Sequence, residues 1–177
     1  MEQTYNIHRE IIEKCKEGDQ KSFFELYRLY SKSMLNTSCR ILNNTEDAED
    51  ALQESFIAAF HSLHQYQYRS AFGAWLKKIV VNHSLNALKR KRKKTLIELD
   101  DSTLNKSEPD NEEFNFKIEQ VLGAMKKLPE GYRIIFSLYL LEGYEHKEIG
   151  EMLGVSTSTS LTQYHRAKLK LRELLKQ

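Results

Sequence analysis

Apolar residues recur at helical spacing through both ends of the chain and lapse between residues 95 and 115. Ile7, Ile11, Ile12 and Cys15 form a short stripe that stops at Gly18. Phe23, Phe24, Tyr27, Tyr30, Met34, Leu35 and Ile41 form a longer one. Thr45 stands where it can cap a third helix, whose first turn, Glu46 to Glu49, is acidic as the helix dipole favours. Its buried face is expected to be Ala48, Leu52, Phe56, Ala59, Phe60 and Leu63. A fourth helix is expected from about Ala71, with Phe72, Trp75, Leu76, Ile79 and Val80 inward, running into the basic segment Lys89–Lys94. Four helices over about ninety residues can close one bundle.

Beyond residue 115 the pattern resumes. Phe116, Ile118, Val121, Leu122 and Met125 make one stripe, and Pro129 suits the first turn of the next helix. That helix carries Ile134, Ile135, Leu138, Tyr139 and Leu141, and Gly143 fits its C-terminal stop. Then come Lys147–Leu153, Gly154, Val155, Ser156 and a last helix from Thr157 to about Leu175. A helix, a short glycine turn and a second helix led by serine follow the order of a helix-turn-helix. Gly150 lies where a small residue admits close approach, Gly154 can take a left-handed turn, and Ser156 can cap the second helix. Ile149 and Leu153 should face the core. A plain helical hairpin with a solvated basic face is the competing reading.

The expected fold class is therefore all-α. Two helical domains, residues 1–94 and 116–177, are joined by a flexible acidic linker at 95–115. Only two prolines and seven glycines argue against an all-β chain. With 40% apolar and 29% charged residues, the composition is that of a globular protein. The net charge of +2 hides a division: +5 over residues 1–94, −6 over 95–115 and +3 over 116–177. Two basic blocks with an acidic joint suit contact with an anionic polymer. No stretch is long and apolar enough for a membrane span, and the mixed opening Met1–Glu10 does not read as a secretion signal. Two cysteines cannot build a disulfide scaffold, so the expected location is the cytoplasm.

Catalytic signatures are absent: there is no glycine-rich phosphate loop, no His-Glu-x-x-His and no Cys-x-x-Cys. His61 and His64 stand three apart without a third ligand and read as surface residues, while Cys15 and Cys39 read as small buried or half-buried side chains. No enzyme activity, metal or cofactor is expected. On the recognition helix, Thr157, Ser158, Leu161 and Thr162 occupy the turns that meet base edges. Arg166, Lys168, Lys170 and Arg172 lie further along, suited to phosphates. The basic run 89–94 continues a helix already carrying Lys77, Lys78, Asn82 and His83. Asp47, Asp50, Gln53 and Glu54 leave an acidic face, which is either solvated helix or a dock for a basic protein.

Taken together, Asp47–Phe60, Arg69–Ile79 and Asn82 resemble region 2 of the extracytoplasmic-function sigma factors. Leu128–Arg133, Glu142–Tyr144, Glu148–Gly154 and His165–Lys168 resemble region 4 of the same family. The resemblance implies bacterial core RNA polymerase and promoter DNA as partners and an anti-sigma factor as a further candidate. It assigns Asp47, Asp50, Gln53 and Glu54 to the polymerase clamp. It assigns Arg69, Ser70, Lys77, Lys78, Asn82, Lys89 and Arg90 to the melted minus-ten element, held in part by the loop Gln65–Ala71. It assigns Thr157, Ser158, Leu161, Thr162, His165, Arg166 and Lys168 to the minus-thirty-five duplex. The alternative is a polymerase-independent helix-turn-helix regulator. Leu161 and Gln163 stand where many members are basic, and Glu145 stands where a serine cap is common, so poorer capping is expected there. Trp75, spaced with Phe72 and Ile79, is expected in the core rather than against a base.

Overall fold

In a computed structural model of the protein, residues 8–94 and 117–176 are described, and among them no strand occurs. The expected linker, 95–115, and the stripe residues Ile7 and Phe116 lie outside the described residues. The chain divides into two compact units between Arg90 and Lys91.

The first unit contains α1 (Arg9–Lys16), α2 (Gln20–Leu42), α3 (Thr45–His61) and, as far as Arg90, α4 (Phe72–Lys94), with a 3-10 turn at Leu63–Gln65. Ile12, Leu26, Met34, Phe56, Leu63, Leu76 and Val80 meet in its core. Burying one such side chain stabilises by about 1.5–3 kcal/mol. A polar pin crosses that core: the Ser38 and Ser84 hydroxyls are 2.8 Å apart, and Ser84 also donates to the Val80 carbonyl. Helix starts are fixed by side chains. Asp19 accepts from the Ser22 N–H at 2.9 Å, and Asn44 accepts from the Asp47 N–H at 2.9 Å. Asn44, not Thr45, is thus the cap of α3, and Thr45 begins the helix. Both residue types can cap, and the extended backbone falls at Asn44.

One member of the expected apolar stripes turns outward in this unit. Phe24 is 69% exposed, because Phe23 and Tyr27 already supply the rings that meet Phe60 and Phe56. Trp75 packs against the core as expected, half-buried, its ring lying against Tyr66 and Phe72 at 5.2 and 5.5 Å.

The second unit contains α5 (Ile118–Lys126), α6 (Glu130–Phe136), α7 (His146–Leu153) and α8 (Thr157–Leu175). Met125, Leu128, Phe136, Ala167 and Leu171 form one core cluster. Ile149, Ile134 and Leu138 are also fully buried, whereas Leu153 is half-buried. Pro129 occupies the cap position of α6, one residue before the first turn. α6 then opens into a π turn at Ser137–Leu141. The Glu142 N–H bonds to the Ser137 carbonyl at 3.0 Å, and the wider turn shifts the helical phase. Ser137 and Leu138 stay inside, but Tyr139 and Leu141, apolar positions of the same helix, are exposed. Gly143 ends the element with φ +80°.

Candidate nucleic-acid and polymerase interface

In the first unit, the outer face of α3 is built by spacing. Asp50, Gln53 and Glu54 are exposed on successive turns, and Asp47 is half-buried. One turn beyond Glu54 stands Ile57, 59% exposed, an apolar residue on an otherwise acidic stripe. The sequence reading missed it, although its place seven residues after Asp50 carries the signal. On α4, Lys78, Asn82, Asn86 and Lys89 are exposed at spacings of four, four and three, a stripe of amides and ammonium groups. Asn86 is an addition to the expected set, and Lys77 is half-buried.

The structure brings together two residues assigned to different partners. The Arg90 guanidinium lies 3.1 Å from Glu54 Oε2, and His83 Nδ1 is 3.5 Å from the same oxygen. Hydrogen bonding from Arg90 is the main cause holding the Glu54 carboxyl below its usual range. The pair is exposed enough that its net contribution to stability is small. It nevertheless links the acidic face of α3 to the basic end of α4.

Arg69 is exposed and Ser70 half-buried on the loop that precedes α4. Tyr66, buried beside Phe72 and Trp75, donates its hydroxyl to the Ser70 carbonyl at 2.6 Å and so closes the loop on itself.

The second unit presents a helix-turn-helix. Gly154 ends α7 in a left-handed turn at φ +72°. A Cβ on Gly150 would stand 2.7 Å from the Val155 carbonyl oxygen, so the turn folds back over a position that only hydrogen can occupy without a shift. The Ser156 hydroxyl accepts from the Thr159 N–H at 3.0 Å and starts α8. Glu145 does not leave α7 poorly capped, because Glu148 accepts from the Glu145 N–H at 2.8 Å. Thr157, Ser158, Leu161 and His165 are exposed, and Thr162, Arg166 and Lys168 half-buried. Ser158 shares its hydroxyl with Ser156 at 2.8 Å, and Lys168 rests 5.1 Å from the Tyr164 ring centroid.

His146 fixes the angle between the two helices. Its ring stacks on Tyr139 at 4.3 Å, its Nδ1 lies 3.0 Å from Ser160 Oγ on α8, and its Nε2 is buried without a hydrogen-bond partner. Burial first, then the charge of His165, push its pKa below the ordinary 6.5. The unfolded chain therefore binds this proton more readily than the folded one. Stability from His146 is intact above pH 6.5 and is lost as pH falls from there toward the depressed folded value. Urea midpoints of the wild type should consequently fall more between about pH 7 and 5 than those of His146→Gln. Equal falls would remove His146 as the cause.

Cys15 is buried, which pushes its thiol up to about 11, and Cys39 is half-buried. His61 ends α3 and His64 lies in the 3-10 turn, both exposed. No group of three or more His, Cys, Asp or Glu is gathered for a metal among the described residues. Nor, among them, is any helix long and apolar enough to cross a membrane.

Comparison with known proteins matches both units. Residues 26–94 fit the model of Sigma-70 region 2, and residues 118–171 fit that of Sigma-70, region 4. The ECF RNA polymerase sigma factor SigW of Bacillus subtilis (strain 168) is 26% identical, with 93% of this chain and 95% of that protein covered. The RNA polymerase sigma factor CarQ of Myxococcus xanthus is 28% identical, with 93% and 95% covered. Among solved structures, CnrH in complex with the cytosolic domain of CnrY has a TM-score of 0.55 at 23% identity, covering 95% of this chain and 96% of that one. The sigma factor RpoE of Bartonella quintana, in complex with the anti-sigma factor NepR, has a TM-score of 0.57 at 18% identity, covering 88% and 98%. With regions 2 and 4 in order, an all-helical architecture and relatives matched nearly end to end, the chain belongs to the extracytoplasmic-function group of sigma-70 factors and directs transcription initiation.

Proposed function

We propose a division of labour between three segments, residues 1–94, 95–115 and 116–177. The first docks on core RNA polymerase through Asp47, Asp50, Gln53 and Glu54, with Ile57 adding an apolar contact at the end of the same stripe. It holds a non-template base of the minus-ten element in the loop carrying Arg69 and Ser70, beside Lys77, Lys78 and Asn82, while Lys89 and Arg90 meet phosphates. A single-stranded base offers a stacking face and a free Watson–Crick edge, which an exposed amide can bond by donor and acceptor together. The last segment reads the minus-thirty-five duplex with Thr157, Ser158, Leu161 and Thr162 at base edges and His165, Arg166 and Lys168 along the backbone. The acidic segment between them keeps clear of DNA by its own charge and threads the polymerase cleft. The protein works in the cytoplasm. An anti-sigma factor is a further partner, as RpoE of Bartonella quintana is solved in complex with the anti-sigma factor NepR.

The observation that carries this reading is the exposed stripe Lys78, Asn82, Asn86 and Lys89 on α4, the helix that follows the loop closed by Tyr66. A duplex-binding regulator has no use for a second polar face one unit away from its helix-turn-helix. The experiment is Asn82→Ala in the full chain with core polymerase. Open-complex formation should fall about tenfold, the size of one lost base contact, with closed-complex binding little changed. Equal loss of both would make Asn82 structural.

A further inference from the structure

We propose that α1 belongs to the minus-ten reading apparatus, with Tyr68 as a positioning residue that α1 clasps in order to fix the path of the loop Gln65–Ala71. The inference rests on the assignment of that loop to single-stranded promoter DNA and adds a residue set to it.

Tyr68 has φ +59°, in the left-handed region that an aromatic side chain rarely adopts. Such a conformation persists only where the surroundings over-determine it, and α1 supplies the surroundings. The Tyr68 hydroxyl donates to Glu13 Oε1. The Arg9 guanidinium lies 5.1 Å from the ring centroid, and the Lys16 ammonium 4.6 Å. Lys16 also donates to the Tyr66 carbonyl at 3.3 Å and to Glu13 at 3.1 Å. Hydrogen bonding from Tyr68, ahead of that from Lys16, draws the Glu13 carboxyl below its usual range.

Arg9, Glu13 and Lys16 are spaced four and three apart, one stripe of α1, and all three converge on a single tyrosine more than fifty residues away. Packing alone does not require this: α1 is already seated by Ile12 and Cys15 on its buried side. The far end of the loop is held separately, by the Tyr66 hydroxyl on the Ser70 carbonyl. Between the two anchors, Gln67 and Arg69 flank Tyr68 and are exposed. A reversed backbone at residue 68, pinned from behind, offers those two side chains to a base in one pose rather than many. Ordering the loop before DNA arrives removes the entropy cost from the binding step, and that is where discrimination between bases is lost when a loop is slack.

The test uses the full chain assembled with core polymerase and a single-stranded DNA pool randomised over the minus-ten positions, with captured strands sequenced. Wild-type holoenzyme should enrich particular bases. Tyr68→Ala and, independently, the surface double variant Arg9→Ala with Glu13→Ala should bind core as the wild type does yet lose about tenfold of that preference. Tyr68→Phe, which keeps the ring against both cations, should fall between. An unchanged preference in both clamp variants overturns the role of α1, and so does a loss of preference matched by a loss of core affinity. A wild-type holoenzyme that enriches no base overturns the loop assignment itself, and the clamp with it.

Discussion

Replacing Asp50 with Lys should lower the affinity for core RNA polymerase by about a hundredfold, because the charge that the proposed docking face offers its partner would change sign. Asp50 is the position of choice on structural grounds. It is exposed, so the substitution meets no packing constraint within the unit. Glu54→Lys should give a similar loss, but it also sets an ammonium group against Arg90 and His83, which now bond Glu54. Its effect therefore mixes lost docking with local repulsion. Glu54→Gln separates the two: the amide can still accept from Arg90, and the charge offered to the polymerase is gone. The measurement is a titration of labelled protein with core enzyme at about 0.15 M salt and again at higher salt. The wild-type affinity should weaken as salt rises, since attraction between exposed charges is screened. Asp50→Lys with unaltered affinity would remove the acidic face of α3 from the polymerase interface, and Ile57 would then need another explanation.

Local rules made the helix-turn-helix legible in the sequence. Gly154 in its left-handed turn, Ser156 as cap and Ile149 in the core each depend on a few neighbours, and each falls where spacing puts it. The buried face of α3 was legible for the same reason, apart from the small residues Ala51 and Ser55, which are buried without being hydrophobic landmarks. Failures occurred where the period itself changes or where contacts are distant. An unbroken helical period keeps Tyr139 and Leu141 in phase with Ile135 and Leu138, and the π turn at Ser137–Leu141 adds a residue to that turn and carries them out. Phe24 was placed inside because it is apolar, yet its neighbours Phe23 and Tyr27 had filled the available space. Asn44 and Thr45 differ by one position and by nothing in propensity that separates them.

The candidate site divides in the same way. Its exposed residues on α3 and α4 follow from amphipathic spacing, and so does the hydroxyl-rich start of α8. The ion pair of Glu54 with Arg90 joins residues 36 apart, and the clasp on Tyr68 joins residues up to 59 apart with a tyrosine at positive φ. Neither arrangement has a local signature. A reader of sequence has no cause to seat a tyrosine in a glycine-like conformation, and without that step Arg9, Glu13 and Lys16 remain an ordinary charged face.

Gly150→Val should destabilise the second unit by about 1–3 kcal/mol, the usual cost of forcing atoms into a filled site, and should abolish measurable binding to minus-thirty-five duplex. Two effects oppose each other at this position. Glycine inside a helix is about 1 kcal/mol worse than alanine, so any side chain gains something in α7 itself. Against that, the first atom beyond Cα would stand 2.7 Å from the Val155 carbonyl oxygen and 3.5 Å from the Thr157 nitrogen, and both belong to backbone that cannot rotate away. A branched side chain adds two more carbons to the same gap, so crowding exceeds the gain in propensity. Relief can come only by swinging the turn outward. That motion breaks the bond from the Val155 N–H to the Gly150 carbonyl and moves Ser156, the residue that caps α8. The recognition helix is therefore displaced even in molecules that remain folded. Urea unfolding reports the first effect and duplex binding by the full chain the second, and the two should differ in size. A Gly150→Val protein as stable as the wild type and equally tight on duplex would mean that the turn has slack the distances deny. A fall in binding larger than the fall in stability would instead show that the glycine sets where the helix lies as well as whether it forms.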